Sequence, residues 1–229
     1  MLLSVIIPAY NEIKTIDKII KKVQEVEFDK EIIIIDDGST DGTREFLKKI
    51  AKTDNIRVLF QDKNQGKGSA ISRGFKEIKG DVAIIQDADL EYDPHDYLKM
   101  IKPIEKGYAD VVYGSRFKGR NPHSILFFWH TLGNKFLTFL SNLFSKLNLT
   151  DMETCYKMFK AEIAKKIEIQ EKRFGIEPEI TAKLAKMNVR ILEVTISYCG
   201  RKFSEGKKIS WKDGFEAIYC ILKYNLRKK

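Results

Sequence analysis

Ile32-Ile33-Ile34-Ile35-Asp36-Asp37-Gly38-Ser39 decides the fold. Four consecutive β-branched residues offer no polar face, so the segment reads as a strand covered on both sides, the pattern of a parallel sheet interior. Charge begins abruptly at its C-terminal end. Asp-Gly-Ser-Thr-Asp-Gly over 37–42 is turn chemistry, and the stripe over Thr43 to Ala51 predicts a helix with Thr40 or Asp41 as its cap.

Outward from this unit the same alternation repeats. Leu3 to Ile7, Ile56 to Phe60, Val82 to Ile85 and Ala109 to Tyr113 read as strands. Ile13 to Val26, Ser69 to Ile78 and Pro94 to Ile104 read as helices, the last with Pro near its start. Strand–helix alternation with short joints predicts βαβ units, an α/β fold and a mainly parallel sheet flanked by helices. Right-handed crossovers bring the strands' C-terminal ends to one edge, where such sheets bind ligands.

The second half differs. Ile125 to Leu147 is rich in Phe and Leu, Ile163 to Met187 reads helical with a break near Phe174-Gly175, Val189 to Ser197 alternates like a strand, and Trp211 to Tyr224 reads as a helix. No repeat, linker or low-complexity tract interrupts the 229 residues, and a single domain over 1–229 is expected. Lys and Arg total 41 against 32 Asp and Glu, a net +9 that favours anionic partners. Three scattered cysteines without a Cys-x-x-Cys pair argue against structural zinc and a disulfide framework, and fit a reducing compartment. Pro8 and Tyr10-Asn11-Glu12 cut the first apolar run short of a signal peptide, and no run of about 20 apolar residues predicts a membrane span.

Three polar clusters follow directly on predicted strands: Pro8-Ala9-Tyr10-Asn11-Glu12, Asp36-Asp37-Gly38-Ser39, and Asp87-Ala88-Asp89 after Gln86. All should meet at the ligand edge. Two carboxylates one residue apart repel each other unless a cation lies near them, and hard divalent cations take such oxygens together with substrate phosphates. Asp87 and Asp89 are therefore candidate metal ligands for Mg2+ or Mn2+ bridging a nucleotide diphosphate. A carboxylate at Asp36 or Asp37 can accept from ribose hydroxyls or a base N–H. Asn64-Gln65-Gly66-Lys67-Gly68 fails the Walker pattern, with Gln61 at the first Gly position and Gly68 at the Ser/Thr position. It either brings Lys67 and helix N-terminal amides to a phosphate or is a tight turn alone.

This ordered set resembles the family-2 inverting glycosyltransferases of the GT-A fold, and among them the dolichyl- and polyprenyl-phosphate sugar synthases. The resemblance rests on Val5 to Glu12, Asp36 to Ser39, Asn64 to Gly68, Asp87-Ala88-Asp89-Leu90, Tyr113-Gly114-Ser115-Arg116, Asp151 to Met158 and Arg201 to Lys208. It implies a Rossmann-like nucleotide-sugar half over 1–118 and an acceptor- and membrane-facing half over 119–229. It implies that Pro8, Tyr10, Glu12, Asp36, Asp37 and Lys67 line the nucleotide site. Asp87 and Asp89 would hold the metal and diphosphate, and Arg116, Arg201 and Lys208 would contact the acceptor phosphate or the diphosphate. The implied reaction is inverting transfer of a hexose from a UDP- or GDP-linked sugar to a polyprenyl phosphate. It would occur in the cytoplasm, against the inner face of the cell membrane. Glu91 stands where those enzymes often carry Gln, and Glu153-Thr154-Cys155-Tyr156-Lys157 replaces their Gly-Phe-Arg-like stretch. Both departures bear on sugar and acceptor. An acceptor phosphate needs no general base, whereas a hydroxyl acceptor needs one from Asp89, Glu91 or Glu153.

Ile125 to Leu147 carries Phe127, Phe128, Trp129, Leu132, Phe136, Leu137, Phe139, Leu140, Leu143, Phe144 and Leu147, flanked by Lys135 and Lys146. Such a helix suits the plane of a bilayer, a core, or a homo-oligomer interface. From Arg201 onward nine basic residues face three acidic ones, a local charge of +6 that suits anionic lipid. His95, His123 and His130 are scattered without metal spacing. Three competing classes remain. A nucleotidyltransferase would carry a Gly-rich basic loop where Ala9-Tyr10-Asn11-Glu12 stands. A non-enzymatic phospho-acceptor module would be shorter and lack the second acidic pair. Nucleic-acid binding lacks any motif here.

Overall fold

A computed structural model describes residues 1–51, 53, 55–118, 128–173, 175–200 and 211–226. Its centre is a seven-stranded sheet in the order β3-β2-β1-β4-β6-β5-β7. The strands are β1 (Leu3–Ala9), β2 (Lys30–Asp36), β3 (Ile56–Phe60), β4 (Val82–Ile85), β5 (Val111–Ser115), β6 (Lys157–Lys160) and β7 (Ile191–Thr195). The helices are α1 (Ile16–Glu25), α2 (Thr43–Ile50), α3 (Lys67–Lys76), α4 (Tyr97–Glu105), α5 (Phe128–Ser145), α6 (Ala161–Ala164), α7 (Ile176–Met187) and α8 (Trp211–Leu226).

β1 to β4 pair in parallel because each apolar run is followed by a helix that returns the chain across the sheet. Val5, Ile6, Ile7, Ile33, Ile34, Ile35, Ile84 and Ile85 have no exposed surface, as strands covered on both faces require. The α/β, mainly parallel architecture is that of the sequence reading. The exception is β6, which runs antiparallel between β4 and β5. The sequence reading had no strand there. Lys157-Met158-Phe159-Lys160 is short and bounded by lysines, and Lys157 lies in the interior only because Glu177 of α7 pairs with it.

Helix boundaries also shift: α1 begins at Ile16 rather than Ile13, and α3 at Lys67 rather than Ser69. Pro94 opens a 3-10 turn over Pro94–Asp96, capped by Asp93, before α4 begins. The helical stretch expected over Ile163 to Met187, with its break near Phe174-Gly175, is two helices: α7 begins at Ile176, just past that break, but α6 already ends at Ala164. The chain between them is held by Glu179, whose carboxylate accepts from the backbone N–H groups of Gln170 and Glu171.

α5 uses two apolar faces. Leu137, Leu140 and Phe144, with Leu147 just beyond the helix, pack on the main core, whereas Leu132, Phe136, Phe139 and Leu143 are each more than half exposed. Their 4-3-4 spacing forms one stripe. α8 packs against α5 and likewise exposes Phe215, Tyr219 and Leu226. Among the described residues, no helix is long and apolar enough to cross a membrane.

Candidate active site

Strand register decides which side chains can meet. Ala9 lies beside Asp36, Asp36 beside Phe60, and Ile6 beside Ile85. The segments that follow β1, β2, β3 and β4 therefore leave from the same edge. Hydrogen bonds stitch the first two together: Asn11 N–H donates to Ser39 Oγ (3.0 Å), Thr40 N–H to Asn11 Oδ1 (2.8 Å) and Glu12 N–H to Thr43 Oγ1 (2.9 Å). Asn11 adopts φ 55°, a left-handed conformation that asparagine tolerates. Pro8, Tyr10 and Glu12 are half-buried along this seam, and Glu12 accepts from Thr15 Oγ1 at 3.0 Å. Asp41 accepts from the Thr43 N–H at 3.0 Å and the Ile13 N–H at 3.1 Å, so it ties α2 to the β1 loop.

Asp36 is fully buried, with its Oδ2 2.7 Å from Arg44 Nε. Asp37 accepts from Gln61 Nε2 (2.6 Å) and from the N–H groups of Gln65 and Gly66 (2.8 Å each). Burial raises its pKa above the usual carboxylate value, against the lowering pull of those donors. In this arrangement both acids organise the neighbouring loop.

That loop explains its glycines. Gly68 N–H donates to Lys172 O at 2.9 Å. A Cβ on Gly66 would lie 2.1 Å from Lys172 O, and one on Gly68 1.9 Å from Glu171 O. The glycines admit a close backbone crossing. With the amides of Gln65, Gly66 and Gly68 committed within the protein, the loop is not an open phosphate cradle. It aims Lys67 instead. Asp37 holds Gly66, and the next residue extends its ammonium to Asp87 Oδ1 at 2.8 Å. The acidic tips of β2 and β4 are thus linked through two consecutive residues.

Around Lys67 stand Cys155 Sγ at 3.2 Å and Glu177 Oε1 at 3.9 Å. Burial opposes the charged ammonium, but Asp87, with Cys155 and Glu177, outweighs it and holds the pKa well above the ordinary lysine value. Glu177 Oε2 binds the buried Lys157 ammonium, while its Oε1 has no hydrogen-bond partner. Sequence reasoning missed Glu177 and the role of Lys157. A glutamate in the first turn of a helix reads as a favourable dipole contact, and nothing local marks it as part of this cluster.

Asp87 is backed by Gln86, whose Oε1 accepts from the hydroxyls of Tyr97 and Tyr156. Asp89 accepts from the Glu91 N–H at 3.1 Å. Between them and Glu91, Leu90 adopts φ 64°, a conformation that costs a branched-chain residue free energy and occurs chiefly at functional turns. Among the described residues, no group of three or more His, Cys, Asp or Glu side chains is gathered to hold a metal. The donors at the β4 tip nevertheless fit Mg2+ or Mn2+. They are hard oxygens, such ions commonly take one or two protein carboxylates and complete their shell from phosphate and water, and Asp87 already accepts a cationic partner.

Arg116 follows β5. Its Nε and Nη2 reach the two oxygens of Asp151 at 2.7 Å each, and its guanidinium lies 5.1 Å from the Tyr198 ring centre. Asp151 is fully buried. Its loop is held from both sides: Asn142 of α5 exchanges two hydrogen bonds with the Leu149 backbone, and Glu193 of β7 accepts from the Thr150 and Asp151 N–H groups. Glu91 accepts from the Tyr198 hydroxyl at 2.8 Å. Glu153 Oε1 is buried without a hydrogen-bond partner, and burial, reinforced by Glu177, raises its pKa to about 7. His95 pairs with Asp93 at 2.9 Å. Arg201, Lys208 and His123 lie outside the described residues.

The mainly parallel sheet, with acidic turns at its ligand edge and an antiparallel strand beside them, is of the GT-A type. The profile of Glycosyl transferase family 2 matches residues 4–168, and the chain belongs to that family. It is 28% identical over 232 residues to an undecaprenyl-phosphate mannosyltransferase of Micrococcus luteus, covering 96% of this chain and 93% of that one. It is 30% identical over 247 residues to a UDP-N-acetylglucosamine–dolichyl-phosphate N-acetylglucosaminyltransferase of Methanococcus voltae, covering 99% and 97%. Its fold is similar to that of glucosyl-3-phosphoglycerate synthase from Mycobacterium tuberculosis, solved with Mn2+, UDP and glucosyl-3-phosphoglycerate. The TM-score is 0.74 at 18% identity, over 100% of this chain and 81% of that one.

Proposed function

We propose that the protein transfers a hexose, with inversion, from a nucleotide diphosphate sugar to a polyprenyl phosphate at a membrane surface. The observation that carries this reading is Asp87, a carboxylate at the ligand edge that already receives a cation from the neighbouring loop. Asp87 and Asp89 would hold Mg2+ or Mn2+. A divalent cation there supplies positive charge to the departing diphosphate. Pro8, Tyr10, Glu12 and Asp37 border the nucleotide, while Asp36, expected at the nucleotide from sequence, is fully buried on Arg44 and instead fixes the loops around it. Arg116, Arg201 and Lys208 meet the acceptor phosphate or the diphosphate. The acceptor oxygen bonds to the anomeric carbon from the face opposite the diphosphate, the bond to the diphosphate breaks, and the nucleoside diphosphate leaves with its electron pair. The names of the similar Micrococcus and Methanococcus enzymes support a lipid-phosphate acceptor. The test is a panel of labelled UDP- and GDP-sugars with Mg2+ or Mn2+ and native membranes. Label should enter the lipid fraction and vanish with chelator; label confined to polysaccharide would reject the lipid acceptor.

One observation favours a second reading, transfer to a hydroxyl of a polysaccharide or glycolipid: the buried Glu153 carboxylate, with a pKa about 7 and an unpartnered oxygen. Such a group suits a general base. For a hydroxyl acceptor, Glu153→Gln lowers turnover by about 100-fold or more and removes a rise in rate through neutral pH; for a phosphate acceptor it leaves both nearly unchanged. Stability gives a separate readout. The folded pKa exceeds the unfolded one, so the wild type loses stability as pH rises from the ordinary glutamate value through about 7. Glu153→Gln should match the wild type at acid pH and exceed it above neutrality by an amount on the order of 2–3 kcal/mol. Thermal unfolding at both pH values measures this, and equal stabilities at alkaline pH would contradict it.

The exposed stripe of α5 supports the membrane reading, together with Lys135 beside it and the basic residues from Arg201 onward. Replacing Phe136 and Phe139 together by Asp should reduce sedimentation with vesicles containing anionic lipid by about tenfold, while unfolding temperature changes little. Unchanged sedimentation would turn this stripe into an interface between copies of the chain.

A further inference from the structure

Lys67 has two carboxylates within reach, and only one is at the mouth of the site. Its ammonium is 2.8 Å from Asp87 Oδ1, which is partly exposed, and 3.9 Å from Glu177 Oε1, which is buried and lacks a hydrogen-bond partner. At 3.9 Å no hydrogen bond forms, so one acceptor is used and the other waits. A shift of about 1 Å would bring Nζ into hydrogen-bond range of Glu177. Lys67 and Lys157 face Asp87 and Glu177 in this cluster, and Cys155 Sγ contacts Lys67 at 3.2 Å.

The geometry points to Lys67 as a resident counter-ion of the cation site. It pairs with Asp87 and transfers to Glu177 Oε1 when a divalent cation and its diphosphate take Asp87. Both arrangements keep every charge paired. The first prevents Asp87 and Glu177 from facing each other uncompensated; the second gives the orphaned Glu177 oxygen its partner. A free cation must displace the lysine with no anion of its own to offer, so metal alone binds weakly. A cation arriving with a diphosphate also brings negative charge for Lys67. Lys67 is a positioning residue here, and Glu177 is its second seat.

This inference rests on the divalent-cation reading above. The test is Mn2+ binding, followed by loss of the free-ion electron paramagnetic resonance signal, without and with UDP. Lys67→Met should tighten Mn2+ binding without UDP by about fivefold. Glu177→Gln should weaken it by about fivefold, because the lysine then has no alternative seat. Simple electrostatics predicts the same two signs, so the double variant decides. If Glu177 acts by receiving Lys67, the Glu177→Gln penalty falls below about twofold in the K67M background. An equal penalty in both backgrounds, or weaker binding by K67M, overturns the inference and leaves the metal assignment standing. A wild type that binds no Mn2+ even with UDP overturns both. Unfolding temperatures without metal accompany each variant, and Lys67→Gln replaces Lys67→Met should the latter not fold.

Discussion

Asp87→Asn lowers the rate of sugar transfer by about a thousandfold or more. Asparagine keeps the size and one acceptor oxygen of the side chain but removes the negative charge. Two things depend on that charge: the proposed attraction of a divalent cation and the ion pair with Lys67 at 2.8 Å. Loss of the first removes charge stabilisation when the diphosphate departs, the stage at which such interactions act most strongly. Loss of the second frees Lys67 toward Glu177, limiting the cost to folding. The variant should therefore unfold within a few degrees of the wild type, since a partly exposed pair contributes about 1 kcal/mol or less. Donor turnover and calorimetry together check this. Activity within tenfold of wild type would show that the β4 tip is not where the diphosphate is bound.

Asp151→Ala has the largest expected effect on stability. It leaves the Arg116 guanidinium, 12% exposed, without the two oxygens that bind its Nε and Nη2. Removing one partner of a buried pair costs about 3–5 kcal/mol, because the other charge stays desolvated. For a chain of this size that corresponds to roughly 10 °C in unfolding temperature. The double variant Arg116→Met with Asp151→Ala should recover much of the loss, since the stranded charge is then gone. A single variant as stable as the wild type would mean that Arg116 reaches solvent or another anion.

The strands of the first half were legible because their sequences have no polar face: Ile32 to Ile35 and Val82 to Ile85 are short apolar runs bounded by turn chemistry, as buried strands are. The acidic tips were legible for a related reason, since charge directly after a buried run can only lie at its end. β6 was not legible. Its lysines contradict an interior strand until Glu177, 20 residues away, neutralises one of them. The segment between α6 and α7 falls inside the stretch from Ile163 to Met187 that reads as helical. Its backbone is instead held by the Glu179 carboxylate, a tertiary contact that no local pattern encodes. Lys67 was singled out for a glycine pattern that serves a backbone crossing, and its partners Cys155 and Glu177 come from β6's approach and α7.

The reversed strand also imposes an order of assembly. β1 to β4 can pair as soon as the first 85 residues exist, since each needs only its parallel neighbours. The free flank of β4 stays open until residues 157–160 emerge to cover it. A nascent or truncated chain halted in that interval presents an unprotected sheet margin, a template for pairing with other chains. A nascent chain that ends between β4 and β6 thus exposes a strand edge that the finished sheet covers.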